Sequence, residues 1–157
     1  MEFSGKKVTV VGTGISGIGA VGLLNAVGAE VVLYDGNEKL KIEDIEKKLG
    51  TYKAEIVLGE LTKELTDSSD LLVISPGVPI DSPVVKAFEA AGVPVWGEVE
   101  LAYAFDKGKV LAITGTNGKT TTTALVGQIV GAYHKDTFVV GNIGNPYTTE
   151  VLKSNKD

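Results

Sequence analysis

The sequence predicts an α/β protein: a doubly wound parallel sheet followed by the start of a second α/β unit. Short apolar segments alternate with helix-like segments along the chain, which is the pattern of a sheet with helices on both faces. Glycine-rich loops follow two of the apolar segments, and such loops often cradle phosphate groups in α/β proteins. With 157 residues, 43% of them hydrophobic, the chain is long enough to bury one core and part of a second.

The first strand is predicted at residues 7–11 and leads into a glycine loop. This loop, Gly12-Thr13-Gly14-Ile15-Ser16-Gly17, is a complete G-x-G-x-x-G, and helix-like sequence runs from it to Gly28. Such glycines let the backbone turn tightly and approach a bound phosphate. The loop is therefore a candidate nucleotide site.

The second strand is predicted at residues 30–35 and ends in an acid. Asp35 follows Gly17 at close to the spacing at which a carboxylate meets a ribose hydroxyl in a Rossmann-like unit. The alternative is a solvated turn residue before Gly36 and Asn37, because turns favour these residue types. Together the strand, loop, helix, second strand and acid predict a Rossmann-like nucleotide-binding domain.

The first unit then continues the alternation of helices and strands. Asp81 or Ser82 can cap a helix that has Pro83 in its first turn, and Gly92 gives its stop signal. Parallel strands of this kind are expected to be joined by right-handed crossovers. The predicted helices are 41–49, 61–65 and 83–91, and the predicted strands are 54–58, 71–74 and 93–96.

Three loops should share one rim of this sheet, because ligands of such sheets bind beyond the carboxyl ends of the strands. They are residues 12–17, 35–37 and 75–79. The third, Ser75-Pro76-Gly77-Val78-Pro79, is either a stiff wall facing a ligand or simply a strand-to-helix turn. We expect the three loops to form one candidate site.

A short connecting helix is predicted within residues 97–107, with Val99, Ala102, Tyr103 and Phe105 turned inward. We place the domain boundary at this helix. The predicted division is a Rossmann-like domain at 1–96, a connector at 97–108 and the beginning of a second domain at 109–157.

The second glycine loop follows a predicted buried strand at residues 110–113. Its pattern is G-x-x-G-K-T, shorter than the general P-loop. Gly115 and Gly118 allow backbone N–H groups to point inward at the start of a helix, which favours phosphate oxygens. Lys119 would contact the β and γ phosphates, and the Thr120 hydroxyl would ligate Mg²⁺. The alternative is a glycine turn that happens to precede a lysine.

Beyond this loop, a further strand is predicted at residues 137–140. It ends in the turn Gly141-Asn142-Ile143-Gly144-Asn145-Pro146, which we expect beside the phosphate loop on the rim of a second sheet. His134, the only histidine, lies near the end of the preceding helix, where an interaction with the helix C-terminus explains it better than catalysis does.

Composition excludes several classes of function. The net charge is -5 and all 15 basic residues are lysines without a cluster, which gives no support for nucleic-acid binding. The absence of cysteine excludes disulfides and thiolate metal sites. We see no leader segment and no apolar run long enough to span a membrane, so we expect a soluble cytoplasmic protein.

These motifs resemble those of a known family. The chain is similar to the N-terminal portion of Mur ligases, specifically of the MurD type, which join D-glutamate to UDP-N-acetylmuramoyl-L-alanine in peptidoglycan synthesis. The segments that carry the resemblance occur in the family's order, and they are residues 12–17, 74–79, 92–101, 113–123 and 141–144.

The resemblance implies that the first domain binds the UDP part of the substrate rather than a dinucleotide. The family commonly has a basic residue directly after the acid that ends the second strand, whereas Asp35 is followed by glycine, asparagine and glutamate. We therefore expect reduced UDP affinity or a substitute contact from Lys39. The residues implied to contact or line the UDP site are Gly14, Ile15, Ser16, Gly17, Asp35, Gly36, Ser75 and Gly77.

The resemblance also implies an ATP-dependent, ADP-forming ligase that uses Mg²⁺. Lys119, Thr120 and Asn142 would be catalytic, with Thr120 as the metal ligand and Asn142 orienting the muramoyl part near the γ-phosphate. The full enzyme would phosphorylate the substrate carboxylate, after which the amine of D-glutamate displaces phosphate through a tetrahedral intermediate. The implied ATP-binding residues are Gly115, Thr116, Asn117, Gly118, Lys119, Thr120 and Thr121.

The family's remaining catalytic residues and its D-glutamate domain are expected beyond Asp157, so we expect this chain alone to be inactive. Exposed edges of a truncated second domain would favour self-association. Two hypotheses from other classes stay open. One is an NAD-dependent oxidoreductase domain, which leaves the second loop unexplained, and the other is a non-catalytic nucleotide-binding module.

Overall fold

A computed structural model describes residues 2–156 of the chain. Within this range one parallel sheet contains β1 (Lys7–Val11), β2 (Glu30–Asp35), β3 (Glu55–Leu58), β4 (Leu71–Ile74) and β5 (Val95–Gly97), in the spatial order β3-β2-β1-β4-β5. The helices are α1 (Ile15–Ala26), α2 (Ile42–Leu49), α3 (Lys63–Ser68), α4 (Pro83–Ala90), α5 (Glu98–Tyr103), α6 (Lys119–Tyr133) and α7 (Tyr147–Glu150), with a 3₁₀ turn at Val151–Lys153. No helix of residues 2–156 has the length and apolar character needed to cross a membrane.

The sheet buries an apolar core on each of its two faces. Val8 and Val10 of β1 lie on one face and pack with α1, α2, α5 and α7. Val11 and Leu72 lie on the other face and pack with α3 and α4, where Phe88 is fully buried. Strands covered on both faces consist of continuous apolar runs, as these do. The predicted doubly wound α/β fold is confirmed.

The residues at the two ends of α4 explain where this helix begins and ends. Ser82, rather than Asp81, caps the helix by accepting a hydrogen bond from the Val85 N–H at 3.5 Å. Pro83 occupies the first turn, where a backbone N–H would have no partner within the helix. The missing N–H of proline therefore costs no helical hydrogen bond. Gly92 follows the helix with φ of +75°, a conformation that favours glycine.

Two predicted strands after the connector are not formed. Residues 110–113 and 137–140 are not in a sheet, and Val110 and Leu111 are exposed. A strand needs a neighbour to pair its backbone groups, and within residues 2–156 no strand lies beside residues 110–113, while Val140 makes only an isolated bridge to Asn145. The prediction of a second sheet rim that carries residues 141–146 is therefore wrong for the described chain.

Helix α6 is formed as predicted, but no residue along it is buried. Leu125, Ile129 and Tyr133 recur every four residues and are 56%, 53% and 83% exposed. Side chains at this spacing share one helix face. This apolar face agrees with the expected self-association, which stays a prediction.

The inward face of α5 was predicted only in part. Ala102 is buried as predicted, and Phe105 just after the helix packs against the core. Val99 and Tyr103 are exposed instead, and Glu98 and Leu101 are buried. Positions three and four apart share a helix face, so burial of Glu98 places the other two buried residues on its side. Apolar residues alone do not show which face of this short helix points inward, because one of the buried residues is the acid Glu98.

The end of the described chain packs back onto the first sheet. Tyr147 and Val151 belong to the core on the α1 face. The Tyr147 hydroxyl donates a hydrogen bond to the Asp106 carboxylate. Burial raises the pKa of Tyr147 above its usual range, and this hydrogen bond raises the pKa further. Helix α7 therefore contacts both α1 and α5, although residues 147–153 follow the phosphate loop in sequence.

Candidate functional site

The first glycine loop is a tight turn that only glycine can make at two positions. Gly12 has φ of +104°, and a Cβ atom on Gly17 would lie 1.9 Å from the Gly12 carbonyl oxygen. Helix α1 begins at Ile15 without an acid in its first turn. The first N–H groups of a helix have no partner within it and form a site for anions.

Asp35 joins the first loop to the second. Its Oδ2 atom accepts hydrogen bonds from the Thr13 backbone N–H at 3.2 Å and the Thr13 hydroxyl at 2.9 Å. Its Oδ1 atom accepts a bond from the Asn37 N–H at 3.1 Å. The half-buried Asp35 is therefore an internal clasp between the loops rather than a freely solvated turn residue. Its expected bond to a ribose hydroxyl stays a prediction. One acceptor position remains for it, on Oδ1, because Oδ2 already accepts two hydrogen bonds and Oδ1 accepts one.

Tyr34, next to this acid, links the end of β2 to the segments that follow β1 and β3. It is buried, and its hydroxyl donates to the Gly59 carbonyl at 2.7 Å. Burial and then the negative charge of Asp35 raise the pKa of the Tyr34 hydroxyl. The Tyr34 backbone carbonyl accepts a hydrogen bond from the Gly12 N–H, so Tyr34 bonds both to the first loop and to the residue after β3.

The third loop places a buried hydroxyl behind the first. The Ser75 Oγ atom is buried and has no hydrogen-bond partner among the described residues, and a Cβ atom on Gly12 would lie 2.9 Å from it. The Val78 N–H donates to the Ser75 carbonyl at 2.9 Å, so residues 75–78 form a turn. Gly77 in this turn is exposed. The loop is thus a strand-to-helix turn that also stands directly against the glycine loop.

Lys48 is a basic residue of this rim that the sequence did not indicate. Its Nζ atom donates to the Thr13 carbonyl oxygen at 3.5 Å. The sequence predicts Lys39 as the substitute cation because it follows Asp35 closely in the chain. Lys48 is on α2, and its position over the first loop depends on how that helix packs, which local sequence does not reveal.

The predicted members of the UDP site do come together. The segments 14–17, 35–36 and 75–77 follow β1, β2 and β4, which are neighbours in the sheet. Ile15 is 79% exposed at the start of α1, so an apolar side chain stands free beside the loop. The arrangement offers helix N–H groups, an acid, a hydroxyl and an apolar surface on one rim.

The second glycine loop turns at two glycines with positive φ and leads into a long helix. Gly115 and Gly118 have φ of +149° and +76°, and the 15-residue helix α6 begins at Lys119. The Lys119 ammonium donates to the carbonyl oxygens of Gly115 and, at 3.4 Å, Thr116. The side chains of Asn117, Thr120 and Thr121 are exposed, and residues 2–156 contain no group of three or more acidic, histidine or cysteine side chains suited to a metal ion. Binding of phosphate by this loop stays a prediction, in which Thr120 supplies at most one metal ligand.

Asn142 lies in a turn attached to α7 rather than to the phosphate loop. The Gly141 N–H donates to the Asn145 carbonyl at 3.1 Å, and the Asn145 Nδ2 atom donates to Glu150 Oε1 at 2.6 Å. The hydrogen bond from Lys153, and to a lesser degree that from Asn145, lowers the pKa of Glu150. Among residues 2–156, no hydrogen bond joins the turn to Lys119 or Thr120.

Comparison with known protein families decides the assignment. The family model described as "Mur ligase MurD-like, N-terminal domain" matches residues 6–97, more than half of the chain. The chain belongs to the MurD-like Mur ligase family. This confirms the resemblance inferred from the motifs and removes support from the hypothesis of an NAD-dependent oxidoreductase.

Relatives in this Mur ligase family match the chain from end to end. It is 67% identical to the UDP-N-acetylmuramoylalanine–D-glutamate ligase of Lachnospira eligens and 56% identical to the enzyme of that name from Lachnoclostridium phytofermentans. Each match covers all of this chain but 35% of the relative. The chain therefore spans about a third of the length of the curated relatives it matches.

A solved structure gives the same result for the fold. The pseudomurein peptide ligase type C from Methanothermus fervidus superposes with a TM-score of 0.52 at 25% sequence identity. The superposition covers 80% of this chain and 26% of that ligase. The pseudomurein peptide ligase therefore contains a similar arrangement of strands and helices over the superposed part.

Proposed function

We propose that this chain is the UDP-substrate-binding portion of an ATP-dependent ligase that joins D-glutamate to UDP-N-acetylmuramoyl-L-alanine. The observation that carries the proposal is the clasp between Asp35 and Thr13, which fixes a glycine loop at the start of α1. The names of the relatives supply the substrate class. A cytoplasmic location and a role in peptidoglycan synthesis belong to the same proposal.

In this proposal the diphosphate lies at the start of α1. The N–H groups of Gly14 to Gly17 receive its oxygens, and the buried Ser75 hydroxyl supports the loop behind them. Asp35 accepts a ribose hydroxyl at the remaining lone pair of Oδ1, while Oδ2 keeps its two bonds to Thr13. The exposed Ile15 packs against the uracil ring, and Gly36 and Gly77 leave the two neighbouring loops open to the ligand.

Lys48 supplies the positive charge that the diphosphate needs. Lys48→Ala is expected to weaken UDP binding by about tenfold, because one charge-assisted contact contributes about 1.4 kcal/mol. Calorimetric titration with UDP measures the change. Lys47→Ala is the matched control, since Lys47 lies on the same helix with its ammonium beside Asp44 at 3.4 Å. A loss in Lys39→Ala with full affinity in Lys48→Ala would instead support the residue expected from the sequence.

We further propose that residues 1–96 form the UDP-binding domain, 97–108 connect, and 109–157 begin the ATP-binding domain. Lys119 and Thr120 would serve ATP and Mg²⁺, and Asn142 the muramoyl part of the substrate. When bound, Mg²⁺ would neutralise phosphate charge, with Thr120 among its ligands. Residues 1–157 by themselves are expected to release no ADP in a coupled assay with both substrates.

Lys119→Ala tests the assignment of the second loop. The Lys119 ammonium already lies over the carbonyl oxygens of Gly115 and Thr116, so it is held at the loop that would receive the phosphates. We expect the variant to bind MgATP at least about tenfold more weakly, since one charged phosphate contact is lost. UDP binding should be unchanged in the same sample, which controls for folding. MgATP affinity equal to that of the wild type would mean that the loop is only structural.

A further inference from the structure

Glu98 is a buried acid that the proposed nucleotide sites do not use. It opens α5 and is 4% exposed. Its Oε1 atom accepts hydrogen bonds from the Thr148 N–H at 3.1 Å and the Thr148 hydroxyl at 2.8 Å. Thr148 itself is 1% exposed, and the two residues are 50 positions apart in sequence. The bond pair therefore joins α5 to α7 across the interior.

Both members of this pair are buried, so the loss of either one is unfavourable. A buried carboxylate is destabilising unless hydrogen bonds replace its hydration. Removing Glu98 would leave the N–H and hydroxyl of Thr148 without that acceptor in the interior, which is the unfavourable case for a buried donor. The pair thus selects one position of α7 against α5.

Helix α1 meets the same point of α7 at a glycine. A Cβ atom on Gly19 would lie 2.7 Å from the Thr148 Oγ1 atom and 3.5 Å from the Pro146 Cβ atom. Gly19 is one helical turn from Ile15, or roughly 6 Å along the axis from the start of α1. Close packing of α7 on α1 therefore occurs within a turn of the proposed diphosphate position.

The turn that contains Asn142 is held by this same α7. The Gly141 N–H bonds to the Asn145 carbonyl, and the Asn145 side chain bonds to Glu150. A continuous series of contacts thus runs from the start of α1, through Gly19, Thr148 and α7, to the turn.

We propose that Glu98 and Thr148 form a lock that positions the Asn142 turn relative to the diphosphate end of the UDP site. One substrate molecule then meets both, with its UDP part at the glycine loop and its muramoyl part at the turn. Glu98 is a positioning residue, because it acts through Thr148 and α7. This inference rests on the proposed function of the first loop.

The test compares the affinities for UDP and for UDP-N-acetylmuramoyl-L-alanine in each variant. Glu98→Ala should leave UDP binding within about twofold of the wild type, because no residue of the glycine loop is altered. The muramoyl-alanine part makes the full substrate bind more tightly than UDP does, and Glu98→Ala should reduce this gain in affinity by about fivefold or more. The reason is that the Asn142 turn is no longer held in position.

Three further variants complete the test. Glu98→Gln should keep the wild-type ratio of the affinity for UDP-N-acetylmuramoyl-L-alanine to the affinity for UDP, because the Gln amide oxygen can accept both hydrogen bonds. Gly19→Ala should act like Glu98→Ala, as its Cβ displaces Thr148. Glu100→Ala is the matched control, since Glu100 is an exposed acid of the same helix. A wild-type ratio in Glu98→Ala, or a wild-type chain that binds both ligands equally, would overturn the proposal.

Hydrogen exchange separates failure of the lock from failure of the proposed function. In Glu98→Ala the amides of residues 145–152 should exchange at least about tenfold faster, while those of β1 and β2 keep their protection. Unchanged exchange in residues 145–152 would rule out the lock whatever the ligand results. A wild-type chain that binds no UDP would contradict the proposed function, and exchange would then decide the lock alone.

Discussion

Gly17→Ala is expected to abolish UDP binding and to lower the stability of the chain. Its new Cβ would lie 1.9 Å from the Gly12 carbonyl oxygen, which is a backbone atom that no rotamer change can move away. The loop and the start of α1 must separate, with an expected loss of about 2–3 kcal/mol in the free energy of unfolding. Thermal unfolding should shift down by roughly 5–10 °C, and UDP affinity should fall about 100-fold or more as the helix N–H groups move off the diphosphate.

Gly22→Ala is the matched control for this prediction. It makes the same change on the same helix, but its Cβ meets the ring of Tyr52, an exposed side chain that can rotate aside. Alanine is favoured over glycine inside a helix by about 1 kcal/mol. Gly22→Ala should therefore bind UDP as the wild type does. Normal UDP binding in Gly17→Ala would show that the close contact of loop and helix is not needed by the site.

Asp35→Ala is expected to produce the second large loss of binding. The change removes the acceptor of three hydrogen bonds, two from Thr13 and one from Asn37. Both loops lose their common anchor, and a ribose hydroxyl loses its proposed acceptor. We expect UDP affinity to fall by about 10- to 100-fold and stability by about 1–2 kcal/mol. Calorimetric titration and thermal unfolding of the same preparation give the two values.

Asp70→Ala is a control that separates the loss of UDP binding in Asp35→Ala from its loss of stability. Asp70 also accepts a backbone N–H, that of Lys7 at 2.8 Å, but it lies at the opposite end of the sheet, before β4. Its loss should reduce stability without altering UDP affinity. If Asp70→Ala weakened UDP binding as much as Asp35→Ala, the effect of Asp35 would be one of general stability rather than of the site.

The strands of the first unit could be predicted because each carries its own signal. Buried parallel strands are continuous apolar runs, and β2 and β4 were predicted to the residue from such runs. Turn residues such as Gly28 and Gly92 marked the helix ends, and both have positive φ. In these segments the local pattern and the final packing agree.

The same apolar signal was misleading after the connector because a strand also requires a partner. Residues 110–113 have the composition of a buried strand, yet Leu111 is 67% exposed and unpaired within the described sheet. Nothing in the segment itself reports whether a neighbouring strand is present. The helix of the phosphate loop was predictable because its hydrogen bonds are local, so α6 forms without a sheet.

The candidate site was predictable where the chemistry lies within one motif. The glycines and Asp35 were named from spacing alone, whereas Thr13 and Lys48 were missed. Their contacts depend on how the loop folds toward β2 and how α2 packs above it, with Lys48 and Thr13 35 positions apart. Glu98 shows the same limit, because its partner Thr148 reaches it only through the return of α7 onto the first sheet.

Calorimetric titration of the wild-type chain with UDP-N-acetylmuramoyl-L-alanine and with NAD, each at two temperatures, tests the central claim most directly. The claim is that the first glycine loop binds a UDP-sugar and not a dinucleotide. We expect saturable binding of the UDP substrate with one site per chain, competition by UDP, and no saturable binding of NAD. Saturable NAD binding, with no response to the UDP substrate at either temperature, would contradict it.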